Sequence, residues 1–105
     1  MSTLSTHVLD TTLGKPAAGI RVTLERADGE TVGRGVTDSD GRVRDFPPLR
    51  TGEYLLRFAV AEYFATIRRD AFYSDIVIAF RVANDEHYHV PLLLSPFGYS
   101  TYRGT

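Results

Sequence analysis

The chain has 105 residues, a length that suits one core with no separate regulatory or cofactor module, so a single domain over residues 1–105 is expected. Twelve Lys and Arg against thirteen Asp and Glu give a formal net charge of -1, which removes the basic excess that binds nucleic-acid phosphates or an anionic membrane. Cysteine is absent, which excludes a disulfide framework, a thiolate metal site and a cysteine nucleophile together.

No apolar run approaches the roughly 20 residues of a membrane span, and Met1 to His7 lacks the basic start and apolar centre of a secretion signal. The expectation is a soluble cytoplasmic protein whose partner is a small neutral or anionic molecule. In chain order, Leu4 to Asp10 alternates, with Leu4, Thr6 and Val8 on one side and Ser5, His7 and Leu9 on the other, as in a strand with two different faces. Gly14 to Gly19 is a turn-forming break before Ile20 to Arg26, whose alternation reads as a half-exposed antiparallel strand. Ala27-Asp28-Gly29-Glu30 is the expected hairpin turn, Thr31 to Thr37 the returning strand, and Asp38-Ser39-Asp40-Gly41 a tight polar turn that delivers Arg42 to the start of another short strand. Pro47 and Pro48 close that stretch. Tyr54 to Val60 reads as a strand, and Glu62 to Arg68 has the apolar spacing of about two helical turns, the only helix expected. Asp75 to Val82, His87 to Leu94 and Tyr99 to Arg103 supply three more strands. About eight short strands and one short helix predict an all-β, two-sheet antiparallel sandwich.

Val90-Pro91-Leu92-Leu93-Leu94 departs from this pattern, being apolar without alternation. Antiparallel sandwich strands normally keep one wet face, so both faces of this strand should be covered. A domain this small has one interior, and the second face is more naturally covered by another copy of the chain, which predicts a homo-oligomer. Pro91 also removes one ladder donor, which suits an edge or a bulge.

Hydrolytic chemistry needs a group that titrates near neutrality, and histidine alone does so unperturbed. The three candidates are His7, His87 and His89, the last two sharing a strand face. From pattern alone, a solvated or hydrogen-bonded surface residue is the commoner reading of each. His87 and His89 with His7 have the outline of a three-histidine zinc site, but no nearby carboxylate supports the ligands, and Asp85 and Glu86 fall in a turn, so no metal is expected. Asp38-Ser39-Asp40-Gly41 has the acids and glycine of a calcium loop without the glutamate that should follow, and is read as a turn. No Gly-rich phosphate loop, Gly-x-Ser-x-Gly elbow or aromatic-and-basic stripe is present.

Four separated, ordered motifs span the chain: Leu4-Ser5-Thr6-His7-Val8-Leu9-Asp10, Gly14-Lys15-Pro16-Ala17, Thr37-Asp38-Ser39-Asp40-Gly41-Arg42, and His87-Tyr88-His89-Val90-Pro91-Leu92-Leu93-Leu94-Ser95-Pro96. With the ending Tyr102-Arg103-Gly104-Thr105, they resemble the 5-hydroxyisourate hydrolases of the transthyretin-related family, whose ending is Tyr-Arg-Gly-Ser; here Thr105 replaces the serine. The resemblance implies a transthyretin-like sandwich with one short helix, assembled as a homotetramer with a channel between dimers. It further implies hydrolysis of 5-hydroxyisourate to 2-oxo-4-hydroxy-4-carboxy-5-ureidoimidazoline in urate breakdown, without a cofactor. By that resemblance His7, Arg42 and His89 are the catalytic set, and His7, Arg42, Tyr102 and Thr105 bind substrate. Either imidazole is a candidate base, and Arg42 offers a permanent charge and planar donors to the ring oxygens. On the residues alone, Arg42 can equally be a surface ion-pair partner of Asp38 or Asp40, Tyr102 can be interface packing, and His87 is read as solvent-facing or one layer behind the site. The alternative function is a transthyretin-like binding protein that holds a small aromatic molecule without turnover, and the more distant one a monomeric sandwich interaction module.

Overall fold

The alternation from Leu4 onward is realised as strand β1 (Thr3–Asp10), in which Leu4, Thr6, Val8 and Asp10 are buried and Ser5, His7 and Leu9 lie half-exposed on the opposite face. The computed structural model describes all residues from Met1 to Thr105. The remaining elements are β2 (Lys15–Pro16), β3 (Arg21–Arg26), β4 (Thr31–Val36), β5 (Arg42–Val43), β6 (Gly52–Phe58), helix α1 (Val60–Thr66), β7 (Ile76–Val82), β8 (His87–Ser95) and β9 (Gly98–Thr101). One sheet runs β2-β1-β8-β9, with β5 pairing β1; the other runs β4-β3-β6-β7. The expected two-sheet sandwich with one short helix is observed, with the two-residue strand β2 inside what reads in sequence as a turn.

The antiparallel expectation fails at one place. Strands β1 and β8 pair in parallel over eight positions, from Thr3 opposite His87 to Asp10 opposite Leu94. Hairpins force neighbouring strands antiparallel, as in β3–β4 and β8–β9, but β1 and β8 are separated by the whole second sheet and the helix and carry no such constraint. The helix begins at Val60, two residues earlier than its spacing indicates, because Val60, Tyr63 and Phe64 form its buried face. It ends before Arg68, whose φ of 57° cannot continue a right-handed helix. No helix is long and apolar enough to cross a membrane.

A core of 22 buried hydrophobic residues fills the space between the sheets, including Leu4, Val8, Leu92 and Leu94 from one and Val22, Leu24, Leu56 and Phe58 from the other. The buried threonine and aspartate side chains inside it are partnered, while Arg69 Nη2 at its margin is a buried donor without a partner. Thr6 Oγ1 donates to the Val90 carbonyl at 2.6 Å, and Thr37 Oγ1 donates to the Ala17 carbonyl at 2.8 Å while accepting from the Ile20 amide at 2.9 Å. Asp10 is wholly buried and accepts from Tyr63 Oη at 2.7 Å, Arg69 Nη1 at 3.0 Å and the amides of Thr12 and Leu13. Burial by itself raises the Asp10 carboxyl, but the Tyr63 hydroxyl, those amides and Arg69 outweigh it and leave the group below its ordinary value. The Tyr63 phenol is pushed up to about 12, by burial first and by Asp10 next.

Candidate active site

Because side chains alternate along a strand, the buried stripe of β1 fixes which residues face out of the sandwich: Ser5, His7 and Leu9. The pairing registers then decide what joins them. His7 stands directly opposite Arg42 on β5 and opposite Pro91 on β8, one strand step from His89, which faces Ser5. His7, Arg42 and His89 therefore share one outer sheet face. Both imidazoles are held below the ordinary histidine value. Burial is the largest cause in each and the Arg42 guanidinium the next. His7 and His87 add to the effect on His89, whose Ser5 neighbour opposes it, whereas the Asp40 backbone and the carboxylates of Asp40 and Asp38 act against it at His7. Both rings are consequently neutral at neutral pH and able to accept a proton.

Arg42 is delivered by the Asp38–Gly41 turn. The Asp38 carboxylate accepts from the amides of Asp40 and Arg42 at 2.9 and 3.0 Å. Gly41 is buried at φ 75°, pressed against the Val8 carbonyl, where no side chain has room. The ion pair that sequence allows for Arg42 is instead made by Arg44, at 3.1 Å from Asp38 and 3.7 Å from Asp40. Arg42 is half-buried and has no carboxylate partner. Its five donors remain available to something outside the chain.

The C-terminal segment completes the margin of this face. Strand β9 leaves β8 after Thr101, and the same register resumes where Gly104 bridges His89, its amide donating to the His89 carbonyl at 2.9 Å. Pro91 causes the gap: it has no amide proton to offer the passing strand, and its carbonyl takes Thr101 Oγ1 at 2.8 Å instead. Pro91 thus lies inside a sheet rather than at its edge, at an interruption of pairing. A Cβ at position 104 would sit 2.5 Å from His89 Cδ2 and 3.2 Å from Pro91 Cγ, so only glycine lets the tail lie against the histidine ring. Arg103 clamps this segment by an ion pair with Glu86 at 2.7 Å and by stacking 4.6 Å over the Tyr88 ring.

The tail also revises the expectation for Val90 to Leu94. Pro91 is buried within the single chain, so part of the second face is covered by the chain's own end, while Leu93 and its cross-strand partner Leu9 stay half-exposed. Tyr102 lines a hollow that includes His89 and the edge residues Ile78 to Arg81 of β7 but neither His7 nor Arg42. Tyr102 and Thr105 are exposed. No three histidine or carboxylate side chains converge on a metal-sized position.

A model of the HIUase/Transthyretin family matches residues 4–104. The chain belongs to this family. A relative within the HIUase/Transthyretin family, the 5-hydroxyisourate hydrolase of Caulobacter vibrioides, is 46% identical over 115 aligned residues that cover both chains in full. The solved structure of Klebsiella pneumoniae 5-hydroxyisourate hydrolase superposes with a TM-score of 0.93 at 43% identity, again over both full chains. Sea bream transthyretin in complex with thyroxine superposes with a TM-score of 0.92 at 27% identity, over 98% of this chain and 95% of that one. The resemblance read from the motifs is borne out.

Three residues of this HIUase/Transthyretin chain enter the site without being singled out in sequence. Ser5 and Thr3 hydrogen-bond the histidine rings of β8, and Gly104 abuts His89. The alternation already groups Ser5 with His7, but a parallel β1–β8 register is needed to bring it to His89.

Proposed function

We propose that this chain hydrolyses 5-hydroxyisourate, with His7 and His89 as the proton-transfer groups and Arg42 orienting the substrate. The observation that carries the reading is an unpaired arginine lying beside two neutral imidazoles on one sheet face. Water's oxygen bonds to a ring carbonyl carbon while an imidazole takes its proton. The carbon–nitrogen bond at that carbonyl then breaks, and the ring nitrogen receives a proton as 2-oxo-4-hydroxy-4-carboxy-5-ureidoimidazoline forms. Arg42 directs its fork of donors at the ring oxygens and meets the negative charge that develops as water adds, the role of an oxyanion donor. Proton transfer and charge stabilisation are both met by side chains, so the reaction as drawn calls for no cofactor. Tyr102 offers a ring face or a hydroxyl to the substrate, and Thr105 a hydroxyl, from the segment that runs beside His89. The names and full-length identity of the relatives support the same reading.

A single copy leaves this face open, since it is the outside of a sheet and the half-exposed Leu9–Leu93 pair lies on it. Phe72 and Phe97 are more than half exposed elsewhere on the surface, as is Tyr102 at the margin of this face. These features support a homotetramer in which a second copy roofs the site. Light scattering at micromolar concentration should return four times the chain mass; a monomer that is fully active would remove the roofed site.

The direct test of function is the ultraviolet decay of 5-hydroxyisourate freshly made from urate by urate oxidase, with and without the protein in chelator-treated buffer. Accelerated decay that survives the chelator is the expected result. A verified tetramer that leaves the decay rate unchanged would favour a binding protein that holds its ligand without turnover.

A further inference from the structure

Two β8 histidines and two β1 hydroxyls alternate along the face just described. Thr3 faces His87 and Ser5 faces His89 in the parallel register. Thr3 Oγ1 lies 2.7 Å from His87 Nδ1, His87 Nε2 lies 2.9 Å from Ser5 Oγ, and Ser5 Oγ lies 2.8 Å from His89 Nδ1. His87 is therefore tied to the site through Ser5 rather than merely facing solvent.

A hydroxyl has one proton to donate and two lone pairs with which to accept, and a neutral imidazole has one N–H, so three orders close this chain; in one of them Ser5 accepts from both rings and its own proton is left without a partner, and the other two use that proton. In the first, His89 Nδ1–H donates to Ser5, the Ser5 hydroxyl donates to His87 Nε2, and His87 Nδ1–H donates to Thr3. His89 Nε2 then carries an open lone pair. In the second order every donor reverses, His89 carries its proton on Nε2, and that atom cannot accept another. We propose that Ser5 and His87 are positioning residues that hold His89 in the first order, with Nε2 open as the proton acceptor.

The inference rests on the role given to His89 in the proposed hydrolysis. One further feature favours the first order, and a second fixes the ring orientation it requires. The charge of Arg42 acts on His89, and a guanidinium offers only donors, so an acceptor at Nε2 is its electrostatic complement. Gly104 packs against Cδ2 and fixes the ring orientation that both orders share, because turning the ring over would exchange Cδ2 with Nδ1 and lose the Ser5 bond. When Nε2 takes a proton from water, the new positive charge is met at Nδ1–H by the Ser5 oxygen, whose own proton points away to His87. This is the orienting arrangement by which a third group supports a catalytic base, built here without a carboxylate.

The test uses the full chain carrying Ser5→Ala, Ser5→Thr, His87→Ala or His87→Gln, each confirmed as folded by circular dichroism. Ser5→Ala and His87→Ala should each lower kcat about 10- to 100-fold, the scale of a misplaced catalytic group, with KM nearly unchanged. Ser5→Thr keeps the hydroxyl and His87→Gln keeps an acceptor where Nε2 stands, so both should stay within a few-fold of the parent. Isotope-edited NMR of the imidazole nitrogens should find His89 protonated at Nδ1 in the parent and losing that preference in Ser5→Ala. A parent His89 protonated at Nε2, or a Ser5→Ala protein with parental kcat, would overturn the proposal. Because the tautomer is read without substrate, it decides this point even if the parent fails to accelerate 5-hydroxyisourate decay, an outcome that would sink the hydrolase reading instead.

Discussion

Strand β1 carries two polar settings with opposite logic. At its end, the carboxylate of Asp10 is wholly buried and met by Tyr63, Arg69 and two backbone amides. At its middle, His7 faces Arg42, a cation without a carboxylate, and a second imidazole one strand step away. The first arrangement satisfies its charge and so contributes to folding. The second leaves a charge and two proton acceptors unmet, which costs stability in a lone chain and becomes useful only when a polar ligand arrives. Pairing of the charge with a countercharge, more than burial, separates the Asp10 cluster, despite the unpartnered Arg69 Nη2, from the one proposed to do the chemistry.

The contrast can be broken from either side. On the outer face, His7→Ala or His89→Ala should lower the rate of 5-hydroxyisourate decay about 100- to 10,000-fold for whichever ring is the base, while the thermal midpoint stays close to that of the parent. Loss of only a few-fold for both variants would remove histidine from the chemistry. Inside, Asp10→Ala should destabilise the fold by about 3–5 kcal/mol, because it strands the Arg69 charge and the Tyr63 hydroxyl, and denaturant unfolding would measure it. Gly104→Ala forces a methyl into the His89 ring and should reduce kcat about 10- to 100-fold without unfolding the sandwich; parental turnover would show that the tail does not position the ring.

The two settings also answer to pH differently. Both site imidazoles lie below the ordinary value of 6.5, so activity should hold through neutrality and fall only below that value, as the base becomes protonated. A rate that is flat from about pH 5 to 9 would contradict a histidine base. The Asp10 carboxyl is lowered from 3.8, so its contribution to stability is complete above that value and is lost as pH falls through the lower folded value. Activity should therefore be lost on the acid side before the fold is.

Much of this was legible in sequence, for identifiable reasons. The period-two alternation of Leu4 to Asp10 placed His7 and Ser5 on the outer face, and the Asp38–Gly41 turn placed Arg42 at the start of a strand, because both signals are local. The parallel pairing of β1 with β8 was not legible, since the two strands lie at opposite ends of the chain and nothing in either sets their relative direction. With it went the bridge that Ser5 makes between the two β8 histidines, which the reading of His87 as solvent-facing or one layer behind the site had left open. The covering of Pro91 by Gly104 was also missed, because the apolar run announces that it is covered without saying by what. The Asp10–Tyr63–Arg69 cluster joins residues more than 50 positions apart, and no spacing rule links them.

Arg42 and Arg44 provide the sharpest single comparison, being two positions apart at the same turn, one unpaired and one bound to Asp38 and Asp40. The measurement is the 5-hydroxyisourate decay rate against pH for Arg42→Gln and Arg44→Gln side by side. Arg42→Gln should cost about 100- to 1,000-fold, the scale of a lost oxyanion donor. Its residual activity should also lose protection on the acid side at higher pH, since removing the cation lets the imidazoles protonate more easily. Arg44→Gln should stay within about twofold, as expected for an exposed ion pair. Equal losses from the two variants, or a larger loss from Arg44→Gln, would contradict the claim that the unpaired charge on this face does the chemistry.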